Sequence, residues 1–293
     1  MGAFVIQPGL FKWIPPRVAT FIYTVICKPL LFKKVVGYLI KQTIPEEIKI
    51  HSTFLSLNTQ DPIVSGSLFF GCYETEIIKF FLLRLEKNTT FIDIGANIGL
   101  YSALACHIVA KTNLVIAIEP DQKNCELIKK TKLRNEYTNL IVEEVAAGEF
   151  SGSGKLFLNA LNPADHRLYD KTCSRKTRPI QVETIDNIVK KHTLPVVNLV
   201  KIDTQGYEDK VWNGMQKTLR ENHKIQIMME FWPWGLKQSG SCPQKLLDSI
   251  RSHKFVIYEF NDNYKSPIVR NSDDYLLSFK KERQHLNLFL ARA

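Results

Sequence analysis

The chain has 293 residues, which is enough for one large domain or two small ones. Its composition, 45% hydrophobic and 23% charged, is ordinary for a globular protein. The six cysteines form no C-x-x-C pair and no zinc-type cluster with histidine, which excludes the usual zinc motifs and predicts reduced thiols in a cytoplasmic protein. The net charge of +10 suits an anionic partner but is weak support for nucleic acid.

Residues 1–50 are predicted to form a helical appendage to a domain that spans residues 51–293. The most apolar run in this appendage, Val18 to Cys27, has about half of the roughly 20 residues that a membrane-spanning helix needs. No small-residue cleavage site comes after it, so the pattern does not indicate a signal peptide. Two interpretations stay open: a helix packed on the core, or a segment that lies in a membrane interface and makes the protein peripheral.

From about His51 the pattern changes to short elements. The stretches "STFLSLN" (52–58) and "SLFFGCY" (67–73) are predicted to be strands on either side of a turn-rich linker. Residues 73–88 are predicted to form an amphipathic helix, because their apolar residues recur at helical spacing.

Strands and helices alternate through the rest of the chain. Predicted strands cover residues 89–95, 113–120, 139–148, 154–159, 178–185, 196–204, 224–232, 254–260, 273–280 and 286–292. Predicted helices cover residues 97–110, 121–135, 207–222 and 242–253. This alternation indicates an α/β fold, with a mostly parallel sheet covered by helices on both faces. Ligands of such sheets bind beyond the carboxyl ends of the strands, so the residues there form the candidate site.

The stretch "FIDIGANIG" (91–99) lies at the first of these strand ends. Its glycines allow a sharp turn and a close approach of the backbone to a ligand, and free N–H groups open the next helix. The spacing D-x-G-x-x-x-G differs from the G-x-G-x-x-G of a dinucleotide site, and the aspartate favours a cationic ligand. A purely structural turn is the alternative. We predict that S-adenosylmethionine binds here, on Asp93, Gly95, Ala96, Asn97 and Gly99.

Two further strand ends would complete a nucleoside site. Glu119, which precedes Pro120, can accept hydrogen bonds from both hydroxyls of a ribose. Glu144, Val145 and Ala146 leave room for an adenine ring, although a plain strand exit could have the same sequence. We therefore include these residues among the predicted cofactor contacts.

Two later strand ends carry acids that would face the methyl acceptor. Asp203 closes a strand and would lie near the transferred methyl group, and Glu208 opens the next helix, where the helix dipole favours an acid. Glu230 precedes an aromatic stretch that could line a substrate cleft or pack in the core. A metal shared by these acids is conceivable, but the sequence favours a site without one.

Several segments occur in the order and at the spacing of one protein family, namely "FIDIGANIGLYS", "AIEPDQKNCELIKKTKLRN", "VAAGEFSGSGKLF", "VETID" and "VKIDTQGYEDKVWNGM". Over roughly residues 91–231, the chain resembles the FkbM family of S-adenosylmethionine-dependent methyltransferases. The resemblance implies a Rossmann-like class I methyltransferase fold, the same cofactor contacts and a further contact from Glu74. It also implies methyl transfer to hydroxyls, often of sugars or polyketide-type natural products.

The segment "NPADHRLYD" is similar to a loop of the same family, which implies substrate contacts from Asp165 and Arg167. An alcohol must lose its proton when it is methylated, so a base should help, and His166 and Asp203 are the predicted catalytic residues. His166 could equally be a polar loop residue, and Asp203 could cap the next helix. Gln205 stands where the family usually has an acid, so it stays open whether a role of that acid in metal binding or proton transfer carries over to this chain.

The sequence leaves three hypotheses on function. The first is an O-methyltransferase that acts on a hydroxyl of a glycan or a small molecule. The second is a methyltransferase that acts on RNA or protein through the basic surface; binding to RNA would weaken steeply with salt. The third is a non-catalytic module that keeps the fold, which an undetectable affinity for S-adenosylmethionine would support. The missing G-x-G-x-x-G disfavours a nicotinamide dehydrogenase, and the sequence predicts no oligomeric state.

Overall fold

The computed structural model describes residues 41–159, 162, 165–171, 174–260, 266–282 and 284–292. Most of the predicted N-terminal appendage lies outside them, so its helical character and the domain boundary at residue 50 stay predictions. Strand β1 (Glu47–Ile50) pairs antiparallel with β2 (Thr53–Ser56). Ile48 and Ile50 are buried in one cluster with residues of the main domain, so β1 packs against that domain.

The remaining strands divide between a central sheet and a small sheet. Their bounds are β3 (Phe91–Ile94), β4 (Val115–Ile118), β5 (Leu140–Glu143), β6 (Ala146–Ala147), β7 (Gly152–Leu158), β8 (Lys176–Glu183), β9 (Leu199–Ile202), β10 (Gln226–Phe231), β11 (Phe255–Phe260), β12 (Ile268–Val269) and β13 (Leu286–Arg292). The central sheet has the order β12-β11-β13-β10-β9-β3-β4-β5, and the small sheet has the order β6-β8-β7. Strands β10, β9, β3, β4 and β5 pair in parallel, while β13 is antiparallel to both of its neighbours. The predicted mostly parallel α/β sheet is confirmed.

Helices cover both faces of the central sheet. Their bounds are α1 (Val64–Phe69), α2 (Thr75–Leu82), α3 (Leu100–Ile108), α4 (Gln122–Arg134), α5 (Ile185–Lys191), α6 (Glu208–Asn213), α7 (Gln216–Glu221), α8 (Pro233–Gln238), α9 (Pro243–Ser252) and α10 (Asp273–Leu277). Alternate residues of β3 enter different cores: Phe91 packs with α2 and α3, and Ile92 packs with the helices on the other face. Fully buried strands of this kind read as continuous apolar runs.

Two predicted strands are helices in the structure. The apolar part of "SLFFGCY" belongs to α1, which is buried throughout and begins where the Asp61 carboxylate accepts hydrogen bonds from the N–H groups of Ile63, Val64 and Ser65. Residues 273–280 begin with α10, whose Asp273 is held by an ion pair with Arg251. A short apolar run does not distinguish a buried strand from a buried helix, which explains both errors.

Two predicted elements are divided. The helix predicted over 207–222 is two short helices, α6 and α7, separated at Gly214, where a Cβ would lie 1.9 Å from the carbonyl oxygen of Gly148. The strand predicted over 139–148 splits into β5 and β6, which belong to different sheets. The second division turns the chain across the carboxyl edge of the central sheet and places Ala146 beside a large cavity.

Candidate active site

The large cavity lies beyond the carboxyl ends of β3, β4 and β9. The space between its walls totals about 950 Å³, a figure that includes the part open to solvent. It brings together residues predicted from each of the first four strand ends, and one residue of the loop after β7. The predicted residues on its wall are Gly95, Ala96, Asn97, Glu119, Pro120, Ala146, His166 and Asp203.

The turn after β3 forms the floor of the cavity. Gly95 has φ of +77°, and a Cβ there would lie 1.9 Å from the carbonyl oxygen of Asp203, so only glycine fits. Asn97 is also left-handed, with φ of 52°, and its N–H donates to the Glu119 carboxylate at 2.8 Å. At Gly99 a Cβ would lie 2.8 Å from the Ile128 side chain, so this glycine brings α4 close rather than lining the cavity.

Asp93 lies behind this floor and does not line the cavity. Its side chain is fully buried, and Oδ2 accepts hydrogen bonds from the Ser102 N–H at 3.0 Å and from the Ser102 hydroxyl at 2.7 Å. Its other oxygen has no hydrogen-bond partner, and burial raises the pKa of the carboxyl group. Asp93 therefore fixes the first turns of α3, and its predicted contact with a ligand stays a prediction.

Glu119 forms the side of the cavity at the end of β4. One carboxylate oxygen accepts from the Asn97 N–H, and the other accepts from the Asp121 N–H at 2.9 Å. Burial raises the pKa of Glu119 to about 7. These contacts hold the carboxylate against the turn after β3, where it faces the cavity as a ribose-binding acid would.

His166 lines the same cavity, but both of its ring nitrogens face protein groups. Nδ1 accepts a hydrogen bond from the Asn159 N–H at 3.1 Å, which places the proton of the neutral ring on Nε2. Nε2 lies 3.5 Å from Oδ2 of Asp121. Burial lowers the pKa of His166, so the ring is neutral near pH 7. A neutral ring held in this way has no lone pair left for a substrate proton.

The other predicted residues of this loop lie away from the cavity wall. Arg167 donates to Asp165 at 2.5 Å, and Arg175 donates to the other oxygen of Asp165 at 2.8 Å. The Arg167 guanidinium also lies 4.7 Å from the centre of the Trp232 ring. Because Arg167 is paired with Asp165 and lies over the Trp232 ring, it holds the loop after β7 in place. Its predicted contact with substrate stays a prediction.

At the end of β9, two acids are joined through an amide. The side-chain amide of Gln205 donates to Oδ1 of Asp203 at 3.0 Å and to Oε2 of Glu230 at 3.2 Å. The ammonium group of Lys201 donates to the other oxygen of Asp203 at 2.9 Å. Of these, Lys201, Asp203 and Gln205 line the large cavity, and Glu230 does not.

These acids have opposite tendencies to bind a proton. Burial would raise the pKa of Asp203, but Lys201 and the Gln205 amide outweigh it and hold the pKa below its ordinary value. Burial, together with repulsion from Asp203 and Glu208, raises the pKa of Glu230 well above its ordinary value. Asp203 is therefore the stable anion of the pair, and Glu230 is the acid that readily holds a proton.

Glu208 supports the turn that carries Gln205. One of its oxygens accepts from the N–H groups of Thr204 and Gly206, each at 3.0 Å, and the other has no hydrogen-bond partner. Burial raises the pKa of Glu208 to about 7. It is fully buried and does not line the cavity, so its predicted substrate contact also stays a prediction.

A smaller cavity adjoins the large one and shares Lys201 and Asp203 with it. It has room for about one water-sized group and is lined by Glu74 and Glu230, among others. The Glu74 carboxylate accepts a hydrogen bond from the Tyr101 hydroxyl at 2.5 Å. Glu74 therefore lies beside the predicted cofactor site rather than on its wall.

Two residues predicted to border the adenine lie outside the cavity. Glu144 is exposed and pairs with Lys129 at 3.4 Å, and Val145 packs against the core. Ala146 and Ala147 line the wall, so of the third strand end only the small residues meet the cavity.

Sequence reasoning missed Lys201, Tyr73 and Tyr101, which line the cavity between the cofactor turn and the acids. Lys201 lies on β9 beside Asp93 of β3, and its ammonium is 4.7 Å from the centre of the Tyr101 ring. Burial opposes the charge on Lys201, but Asp203 and Asp93 outweigh it and raise its pKa. A lysine inside an apolar strand was the available signal, because such a charge needs a buried partner.

Within the described ranges, no group of three or more His, Cys, Asp or Glu is arranged to hold a metal ion.

The fold and the cavity together define a class of protein. A glycine turn after β3, an acid after β4 and an acidic pocket at the end of β9, on a Rossmann-like sheet of this order, are the arrangement of a class I methyltransferase. The residues fit its cofactor, S-adenosylmethionine: the backbone of the turn is bare, Glu119 faces the cavity, and the acids favour a sulfonium and an ammonium charge.

Comparison with known families gives the particular group. The sequence profile of the Methyltransferase FkbM domain matches residues 93–277, so the chain belongs to the FkbM methyltransferase family. The hexuronic acid methyltransferase AglP of Haloferax volcanii is 27% identical over 147 residues. That match covers 50% of this chain and 58% of the length of AglP.

Solved structures with a similar chain path are more distant. The precorrin-6y C5,15-methyltransferase of Geobacter metallireducens GS-15 is 11% identical, with a TM-score of 0.43, and the likeness covers 74% of this chain and 88% of that one. TYW2 of M. jannaschii in complex with AdoMet is 16% identical, with a TM-score of 0.42, and the likeness covers 84% and 86%. At these scores neither likeness bears on substrate or mechanism.

Proposed function

We propose that this protein is an O-methyltransferase that transfers a methyl group from S-adenosylmethionine to a hydroxyl of a sugar or glycan. The observation that carries the proposal is the linked pair of acids, Asp203 on the wall of the cofactor cavity and Glu230 in the smaller cavity that adjoins it. Carboxylates accept hydrogen bonds from hydroxyls, and one of them can take the proton that an alcohol loses. The likeness to a hexuronic acid methyltransferase supports a sugar over a polyketide-type acceptor.

The roles of the chain's own residues agree with their places. The backbone of Gly95 to Asn97 would bind the amino-acid part of the cofactor, and Glu119 would hold the ribose. When bound, S-adenosylmethionine supplies a methyl group activated by a sulfonium charge. The acids around Lys201 favour that charge, and Asp203 orients the acceptor hydroxyl. Much of the catalysis would come from this alignment.

Two other functions have less support. The three arginines of residues 165–178 are already paired with acids, Arg167 and Arg175 with Asp165 and Arg178 with Asp121, which leaves less free charge for RNA. The cofactor residues are intact, which does not favour a non-catalytic module.

In the part of the chain that the structure describes, no helix is long and apolar enough to span a membrane. Contact of residues 1–40 with a membrane lies outside the described residues, and a cytoplasmic location stays part of the proposal.

The experiment is a screen for acceptors, read as formation of S-adenosylhomocysteine by the purified full chain. Neutral sugars, hexuronic acids, lipid-linked glycans, a structured RNA and a denatured protein would be compared, with the D203N variant as the inactive control. Turnover with a sugar hydroxyl and not with RNA or protein supports the proposal. Turnover confined to RNA or protein contradicts it.

A further inference from the structure

We infer that Glu230 is the general base of the reaction and that Gln205 is the residue that positions it, an assignment that rests on the proposed O-methylation. The structure joins the two by the hydrogen bond from the Gln205 amide to Oε2 of Glu230. The Glu230 carboxylate also opens onto the smaller cavity, which meets the cofactor cavity at Lys201 and Asp203. The smaller cavity has room for one hydroxyl, so an acceptor bound in the cofactor cavity that extends a hydroxyl past Asp203 would place it beside Glu230.

The residues predicted to be catalytic are poorer bases by their contacts. His166 has a hydrogen bond or a carboxylate on each ring nitrogen. Asp203 is neutralised by Lys201 at 2.9 Å and accepts from Gln205, so its lone pairs bind a proton weakly. Glu208 is fully buried and does not line either cavity. Glu230 keeps a side chain that is 13% exposed, and its Oε1 lies 3.7 Å from Nε2 of the half-exposed His285.

The groups that face Glu230 raise its affinity for a proton, as a base requires. Asp203 and Glu208 approach it from the β9–α6 side, and Glu74 from the segment before α2. Lys201 on β9 and the Gln205 amide act in the other direction, and His285 before β13 lies at the rim. Burial and the acids prevail, so the pKa of Glu230 is raised well above its ordinary value. A base of this kind takes a proton more readily than an ordinary carboxylate.

The proton and electron balance is simple. The O–H bond of the acceptor breaks, and its proton passes to Glu230. The oxygen forms a bond to the methyl carbon, and the carbon–sulfur bond breaks with its electron pair left on sulfur. The step requires Glu230 to be ionised beforehand, and a sulfonium charge in the adjoining cavity favours that ionisation. Binding of the sulfonium should therefore release the proton that Glu230 holds.

This release can be measured without an acceptor. Calorimetric titrations of the full chain with S-adenosylmethionine and with S-adenosylhomocysteine, in buffers of different ionisation enthalpy near pH 7, give the protons released by each. The two ligands differ in the sulfonium charge, so their difference isolates the group that senses it. We expect S-adenosylmethionine to release up to about one proton more. E230Q should abolish the difference, and E221Q, at an exposed pair with Lys217, should preserve it.

A Gln205 variant tests whether this residue positions Glu230 or only supports the fold. Q205M keeps the size of the side chain but removes the donor to Glu230, so the ionised form loses support and the linked pKa should rise. The proton release should then move to higher pH while S-adenosylhomocysteine still binds. With an acceptor from the screen, E230Q should lower kcat by about 10²-fold or more and leave KM for the cofactor unchanged.

The outcomes distinguish the two proposals. If the difference in proton release persists in E230Q, or is lost in E208Q instead, Glu230 is not the group that senses the sulfonium and the assignment is wrong. If neither ligand binds to the folded wild-type chain, the proposed function fails first. A full kcat in E230Q with a confirmed sugar acceptor would overturn the base and leave the methyltransferase intact.

Discussion

Gly95 is the residue on which the cofactor turn depends. Its left-handed backbone and the 1.9 Å approach that a Cβ would make to the Asp203 carbonyl are two separate penalties for any other residue. Gly240 has only the first, since it is also left-handed, at +87°, but has nothing within 4 Å of a Cβ. The two glycines therefore form a matched pair for measuring what the close approach contributes.

We expect Gly240→Ala to lower the free energy of unfolding by about 1–2 kcal/mol, the cost of a left-handed non-glycine residue. Gly95→Ala should cost roughly 1–3 kcal/mol more, because overpacking must displace the Asp203 backbone. Gly95→Ala should also weaken binding of S-adenosylmethionine, and Gly240→Ala should not. Chemical denaturation and calorimetric titration of both variants give these values. Equal losses of stability would show that the approach to Asp203 is not a constraint.

The sequence predicts which residues line the cavity where their position at a strand end and their residue type are enough to place them. Gly95, Asn97 and Glu119 meet the cavity as expected. Asp93 obeys the same logic, but its carboxylate is drawn into the helix behind the turn by Ser102. The link of Asp203 to Glu230 depends on the hydrogen bond from Gln205 to Glu230, which are 25 positions apart along the chain. It depends on which strands are neighbours, and no local pattern contains that.

At the scale of elements, the turn from β9 to α6 is held by one buried acid. Glu208 ties the Thr204 and Gly206 N–H groups to the start of α6, and its side chain is fully buried. Since its pKa rises from 4.5 to about 7 on folding, the folded chain binds more protons than the unfolded chain between these values. The contribution of Glu208 to stability is therefore most favourable below pH 4.5 and is lost as the pH rises to about 7.

We expect E208Q to remove this loss, because the amide keeps the acceptor oxygen and does not ionise. The difference in the free energy of unfolding between E208Q and wild type should shift in favour of E208Q by about 3 kcal/mol from pH 4.5 to 8. Urea denaturation at several pH values measures it, with the exposed E221Q as control. Parallel curves for wild type and E208Q would mean that Glu208 ionises freely in the folded chain.

The elements predicted correctly are those with a clear apolar pattern, and the errors have physical causes. The strands of the parallel sheet were predicted as apolar runs that alternate with helices. The amphipathic helix predicted over 73–88 from its apolar spacing is confirmed in part, because α2 covers Thr75–Leu82. The segment of α1 is buried on every side although it contains two serines and a glycine, so its sequence shows no helical period of apolar residues, yet Asp61-Pro62 before it is a helix-start signal. The break at Gly214 depends on its contact with Gly148, which is distant in the sequence, so the sequence of the helix alone does not reveal it.

At the scale of the molecule, the chain's function depends on strands brought together from distant parts of the sequence. The cavity uses the ends of β3, β4 and β9 and the loop after β7, and the acids add β10. The α/β class can be inferred from alternation alone. The insertion of β13 between β10 and β11 cannot, because sheet order is a choice among topologies that share one pattern of elements.

Because the cofactor contacts come from so many strand ends, its binding should stabilise the whole fold. A ligand that binds the folded chain alone, at about 100 times its Kd, stabilises it by about 2.7 kcal/mol. We expect this gain from S-adenosylmethionine and from S-adenosylhomocysteine, and none from NAD, since the turn after β3 lacks the spacing of a dinucleotide site. Glu119→Gln should reduce the gain, because an amide accepts from one ribose hydroxyl where the carboxylate accepts from two. Thermal unfolding with each ligand tests this; stabilisation by NAD, or an unchanged gain in the Glu119 variant, would place the nucleoside elsewhere.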